Sequence, residues 1–151
     1  MSGGNYHANP KWDPRFLQMA ELVASWSKDP STKTGAIIVR PDKTVLSVGF
    51  NGFPKKMQDD PKDYENREIK YSKIVHCEMN ALIHAKGSVE GCTLYTWPFA
   101  SCDRCAVHMI QAGISRFVFP SLPKKLVKRW KESTDKTKQY IKDANLNWTE
   151  I

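Results

Sequence analysis

A chain of 151 residues that is 40% hydrophobic and 26% charged carries enough apolar material for one compact core, which excludes a disordered or fibrous protein. No apolar run is long enough to cross a bilayer, and MSGGNYHANPKWDPRF has no apolar h-region behind a basic start, so a soluble, cytoplasmic protein is expected. The net charge of +7 favours anionic partners without choosing between nucleotides and nucleic acid, and LPKKLVKRWK at 122–131 supplies much of the excess.

Residues 1–10 read as a flexible segment and 11–151 as a single domain. From 13 to 28 the spacing of Phe16, Met19, Ala20, Val23 and Trp26 predicts a core-packed helix, with Asp13 as N-cap and Pro14 in the first helical position. GAIIVR and VLSVGF, joined by PDKT, form a hairpin signal. The long polar stretch at 51–73, NGFPKKMQDDPKDYENREIKYSK, is a functional loop or is partly helical near DYENREIKYSK. There follow a helix at 76–85, the strand TLYTW, a helix at 103–111, the strand RFVF, a basic helix around 124–144 and a last strand at LNWTEI. Strands alternating with helices after an opening hairpin predict an α/β sandwich built on a mixed sheet.

Chemistry concentrates in two places. IVHCEMNALIHAKG puts His76 and Glu78 at the opening of an amphipathic helix, and SCDRC puts Cys102 and Cys105 at the opening of the next. Thiols at i and i+3 share one side of a first helical turn, and thiolates gain there from unsatisfied N–H groups. Neutral imidazole and two thiolates are an ordinary zinc set. The spacing of His76 and Glu78 works only at a helix start, because mid-helix residues two apart point roughly 200° from one another. Glu78 is better used as a proton carrier than as a fourth ligand, which leaves the fourth position to water. Cys77 and Cys92 read as small core fillers, and His84 and His108 as polar helix residues rather than ligands. Asn80 braces the site or makes a purely structural hydrogen bond. Asn51 with Gly52 is, on spacing alone, a turn, and the basic run near 124–131 a solvated helix face.

HCEMNA followed by PFASCDRC resembles the H-x-E and P-C-x-x-C signature of the zinc-dependent cytidine/deoxycytidylate deaminase superfamily. KWDPRFLQMAELVASWSKDPSTKTGAIIV, GFNGFP and MIQAGISRFVF are similar, in order and spacing, to its dCMP deaminase branch, so the likeness covers residues 11–120. It implies a cytidine-deaminase-like three-layer sandwich, with a five-stranded mixed sheet flanked by helices. It also implies Zn2+ held by His76, Cys102 and Cys105, with Glu78 as proton shuttle and Asn51 recognising the deoxyribose hydroxyl. The reaction implied is hydrolysis of a small nucleotide, dCMP, to dUMP and ammonia by a zinc-activated water, in a homo-oligomer expected to be a hexamer.

One departure is local. The family usually has proline directly before the first cysteine, whereas Pro98 is followed here by Phe99, Ala100 and Ser101, so Trp97, Pro98 and Phe99 all become candidates to cover the pyrimidine. Ser31 and Lys33 in STK, and Lys55 with Lys56, are candidates for the phosphate. The 51–73 stretch has neither Cys nor His, so one zinc per chain is expected. A polynucleotide deaminase acting on tRNA adenosine or single-stranded DNA, and a non-catalytic zinc-stabilised module, are the alternatives. Glu78 argues against the module. The NG turn and EMNA argue against nucleic acid.

Overall fold

Alternate residues of a strand point to opposite faces of its sheet, and three short runs here are apolar on both. In the computed structural model, which describes residues 8–151, these runs are the inner strands of a five-stranded sheet. The strands are β1 (Gly35–Val39), β2 (Val45–Phe50), β3 (Thr93–Trp97), β4 (Arg116–Phe119) and β5 (Asn147–Glu150), in the spatial order β2-β1-β3-β4-β5. β1 is antiparallel to both β2 and β3, while β3, β4 and β5 run parallel. Parallel neighbours need crossovers, and helices α5 (Asp103–Ala112) and α6 (Val127–Asp143) supply them.

The two faces are covered differently. Ile37, Val39, Tyr95 and Val118 pack on Phe16, Leu17, Ala20 and Val23 of α1 (Trp12–Ala24). On the opposite face, Ile38, Leu94, Phe117 and Phe119 meet Ala81 of α4 (Cys77–His84), Met109 of α5 and Ile141 of α6. The result is the three-layer sandwich with a mixed sheet that the sequence led one to expect. Cys77 and Cys92 are buried in the second core as small apolar groups.

Three local expectations change. Of the segment expected to be flexible, residues 1–7 lie outside the described residues, and Asn9 already belongs to the domain. Its Oδ1 accepts from the backbone N–H of Trp12 at 3.0 Å and of Lys11 at 3.2 Å. Asn9 therefore does the capping that Asp13 was expected to do, and Asp13 is buried instead. The Asp13 carboxylate accepts from Tyr95 Oη at 2.7 Å and pairs with Arg116, tying α1 to β3 and β4. The first helix ends at Ala24, so Trp26 lies beyond it, is 52% exposed, and meets the Phe50 ring edge-on at 6.2 Å. In the polar stretch, α2 (Pro61–Glu65) is capped by Asp60 and α3 (Arg67–Lys73) by Asn66.

Register gathers the ends of these elements at one edge. Gly35 pairs with Phe50 on one side and Trp97 on the other, which brings Thr34, Asn51 and Pro98 to the same end of the sheet. A bridge between Gly52 and Val75 then delivers His76 to that edge. The helix behind it sits unusually close to β2, since a Cβ on Gly49 would lie 2.4 Å from both Ala81 N and Cys77 O. Gly49→Ala must push α4 off the sheet, and we expect a loss of about 1–3 kcal/mol in urea unfolding, the usual cost of overpacking. An unchanged midpoint would show that α4 is seated some other way.

Candidate metal centre and cleft

His76 is the N-cap of α4 and Cys102 the N-cap of α5, both extended, with ψ 157° and 158°. Cys105 lies one turn into α5, and its backbone N–H donates to Cys102 Sγ at 3.4 Å. Both sulfurs lie 3.3 Å from His76 Nδ1. A tetrahedral zinc with Zn–S of about 2.3 Å and Zn–N of about 2.0–2.1 Å separates such donors by about 3.5 Å, so the three side chains fit the ion. All three ligand atoms lie within 4.8 Å of one another, and among the described residues no fourth side chain joins this group. Three protein ligands with an open position are the pattern of catalytic rather than structural zinc.

Cys102 is pushed down to about 4, first by the hydrogen bond from Cys105 and also by His76, while that same bond raises Cys105. The hydrogen bond with Cys102 pushes His76 up to about 9. Negative charge thus gathers on Cys102 Sγ, at the N-terminus of α5. Glu78, in the first turn of α4, is only 4% exposed. Burial raises its pKa, the Cys102 charge adds to the rise, and a hydrogen bond from Ser101 opposes it. A carboxyl poised towards its protonated form next to a metal-ligand set is suited to carrying protons.

Above these groups opens a cleft that faces solvent. One wall is the 29–34 loop, held by Asn51: its Oδ1 accepts from Thr34 N at 2.9 Å, and its Nδ2 donates to Thr32 O at 2.9 Å and to Asp29 Oδ2 at 3.2 Å. Asp29 in turn forms a buried ion pair with Lys70 of α3 at 2.9 Å. The opposite wall is aromatic, with Trp97 and Phe99 lining the cleft and Phe99 packed on Trp130 of α6 at 5.2 Å.

The structure brings together His76, Glu78 and Cys102 with Asn51, Ser31 and Phe99 on the cleft wall, Cys105 completing the metal cluster beneath. Pro98, Lys33, Lys55 and Lys56 are not among the lining residues. The Lys33 ammonium turns back to the backbone carbonyls of Ser27 and Asp29. Asn80 ties α4 to the β2 end, donating to Phe50 O at 2.7 Å, whereas His84 and His108 lie exposed with Nδ1 against a carbonyl of their own helix. Sequence reasoning did not anticipate Lys70, Tyr71, Arg129 or Trp130 in the cleft. The one signal was an aromatic beside a base, KY in the stretch read as a functional loop or partial helix and RW in the run read as a solvated helix face.

Residues 10–121 match the family model described as the cytidine and deoxycytidylate deaminase zinc-binding region. The chain belongs to that family. An uncharacterized deaminase in the luxG 3′ region of Aliivibrio fischeri is 43% identical over 139 residues, 92% of either chain. The deoxycytidylate deaminase of Mus musculus is 37% identical over 117 residues, 74% of this chain but 65% of the mouse enzyme, and so less than two thirds of its length. The crystal structure of a dCMP deaminase from the cyanophage S-TIM5 in complex with dCMP and dUMP superposes with a TM-score of 0.72 at 20% identity, covering 96% of this chain and all of that one. At that identity the match establishes the fold. His76, Cys102 and Cys105, the three residues that fit a metal ion, and Glu78 beside them all fall inside the matched span. No helix among the described residues is long and apolar enough to cross a membrane.

Proposed function

We propose that this deaminase-family chain hydrolyses dCMP to dUMP and ammonia. The observation that carries the reading is a buried carboxyl, Glu78, beside a three-ligand metal set on the wall of an aromatic-lined cleft. Relatives named deoxycytidylate deaminase, and a fold neighbour solved with dCMP and dUMP, support the choice of substrate. Zinc, held by His76, Cys102 and Cys105, supplies the Lewis acidity that makes water a nucleophile near neutral pH.

The remaining work falls to the chain. Glu78 accepts a proton from the water that adds at C4 and delivers it to N3 of the ring; it then carries the proton of the new C4 hydroxyl to the amino nitrogen, which leaves as ammonia as the C4 carbonyl forms. Phe99 and Trp97 hold the pyrimidine and keep bulk water away from the reacting carbon. Asn51, fixed on three sides, offers the remaining lone pair of its Oδ1 to the deoxyribose hydroxyl. Ser31 completes the sugar end, while Lys33 and Pro98, away from the cleft, have no contact in this reading.

We further infer a homo-oligomer, because Leu22, Trp26 and Phe50 are 58%, 52% and 38% exposed in the isolated chain; the hexamer is the assembly that the family likeness implies, and light scattering reads it directly. A site that depends on reduced thiols suits the cytoplasm. Assaying dCMP beside a tRNA anticodon stem tests the substrate class: turnover of the nucleotide alone is expected, and preferential turnover of the RNA would overturn the reading.

A further inference from the structure

The cleft contains more positive groups than it has obvious uses for, and sorting them by partner is informative. Lys70 is buried against Asp29, with side chains 10% and 3% exposed, so its charge is already matched. His76 belongs to the metal set. Arg129, on the exposed side of α6 where it reaches the cleft, is different. Among the described residues it pairs with no carboxylate. Its Nη2 donates to Tyr71 Oη at 2.6 Å, and its guanidinium carbon stands 5.2 Å from the Trp130 ring. Tyr71 and the neighbouring Trp130 both line the cleft, and the buried indole N–H of Trp130 meets no protein acceptor.

An aromatic platform and a phenol hydroxyl therefore hold a guanidinium whose other donors are uncommitted. Such a planar fork matches the oxygens of a phosphate dianion, and no lysine expected from the sequence reaches the cleft to compete for that role. We propose that Arg129, oriented by Tyr71 and Trp130, is the residue of this cleft that binds the 5′-phosphate of the substrate. The inference rests on the deaminase reading above and adds to it the residue that reads the phosphate. The basic run on α6 thus has one member with a specific task, and Lys124, Lys125, Lys128 and Lys131 remain exposed to solvent. The bond between Arg129 and Tyr71 also joins α6 to α3 across the mouth, so the 51–73 insertion takes part in phosphate recognition through Tyr71.

The test compares dCMP with deoxycytidine in the zinc-loaded wild type, Arg129→Gln and Arg129→Lys, with zinc content confirming that each variant is folded. Charge-assisted hydrogen bonds of this kind correspond to about tenfold to a hundredfold in binding. Arg129→Gln should lower kcat/KM for dCMP by about that much more than for deoxycytidine, chiefly through KM, and Arg129→Lys should fall between Gln and wild type. Parallel losses on the two substrates would reduce Arg129 to a structural role and overturn the assignment. As a check without mutation, dUMP should shield Arg129 of the wild type from phenylglyoxal, read by mass spectrometry, and deoxyuridine should not; equal labelling in both would also overturn it. Absence of turnover on both substrates by the zinc-loaded wild type would refute the deaminase reading itself, and the inference with it.

Discussion

Glu78→Gln, loaded with zinc, is expected to keep its fold and its metal while turning over dCMP about 10²–10⁴-fold more slowly, the usual worth of a general acid–base group. Glu78 is only 4% exposed, and the amide of glutamine reproduces the shape of its buried side chain. Structural cost is therefore small. What glutamine cannot do is accept a proton from water and release it to N3, and deamination asks this of one side chain twice. The loss should appear in kcat. A metal-replete Gln variant working near the wild-type rate would leave Glu78 with a structural role only.

The second large effect belongs to the metal set. We expect about one zinc per wild-type chain, and loss of most of the zinc together with activity in Cys102→Ser, Cys105→Ser or His76→Ala, by elemental analysis and assay of the same samples. Serine is close to cysteine in size but is a poor zinc ligand, so the change removes one bond from a set of three, with little disturbance of α5. Cys102→Ser also removes the sulfur that accepts from Cys105 N, so it should be at least as damaging as Cys105→Ser. Full zinc in any of these variants would mean that the ion binds elsewhere.

These groups were legible in the sequence for a physical reason: the site residues that open one helix stand two or three apart, and a local spacing can be judged without knowing the fold. The sheet was legible for a similar reason, since GAIIV, TLYTW and RFVF are apolar on both faces and each is bounded by turn residues or a helix. The outer half of the cleft was not. Tyr71 and Arg129 are 58 residues apart and meet only because α3 and α6 converge at one end of the sheet. Asp13 looked like a cap because an acid before proline fits that role locally; its true partners, Tyr95 and Arg116, are 82 and 103 residues away. Trp26 continued a helical spacing two residues past the point where the helix stops. Lys33 illustrates the converse limit, since a lysine beside a suspected phosphate site can satisfy its ammonium on nearby carbonyls instead.

The central claim is zinc-dependent hydrolysis of dCMP by this chain, and its most direct measurement follows dUMP and ammonia together from dCMP before and after chelation, with zinc then restored. The account predicts the two products in equal amounts, loss of turnover with the metal, and recovery on adding back about one zinc per chain. Turnover that survives complete removal of zinc, or no dUMP from the zinc-replete chain, would contradict it.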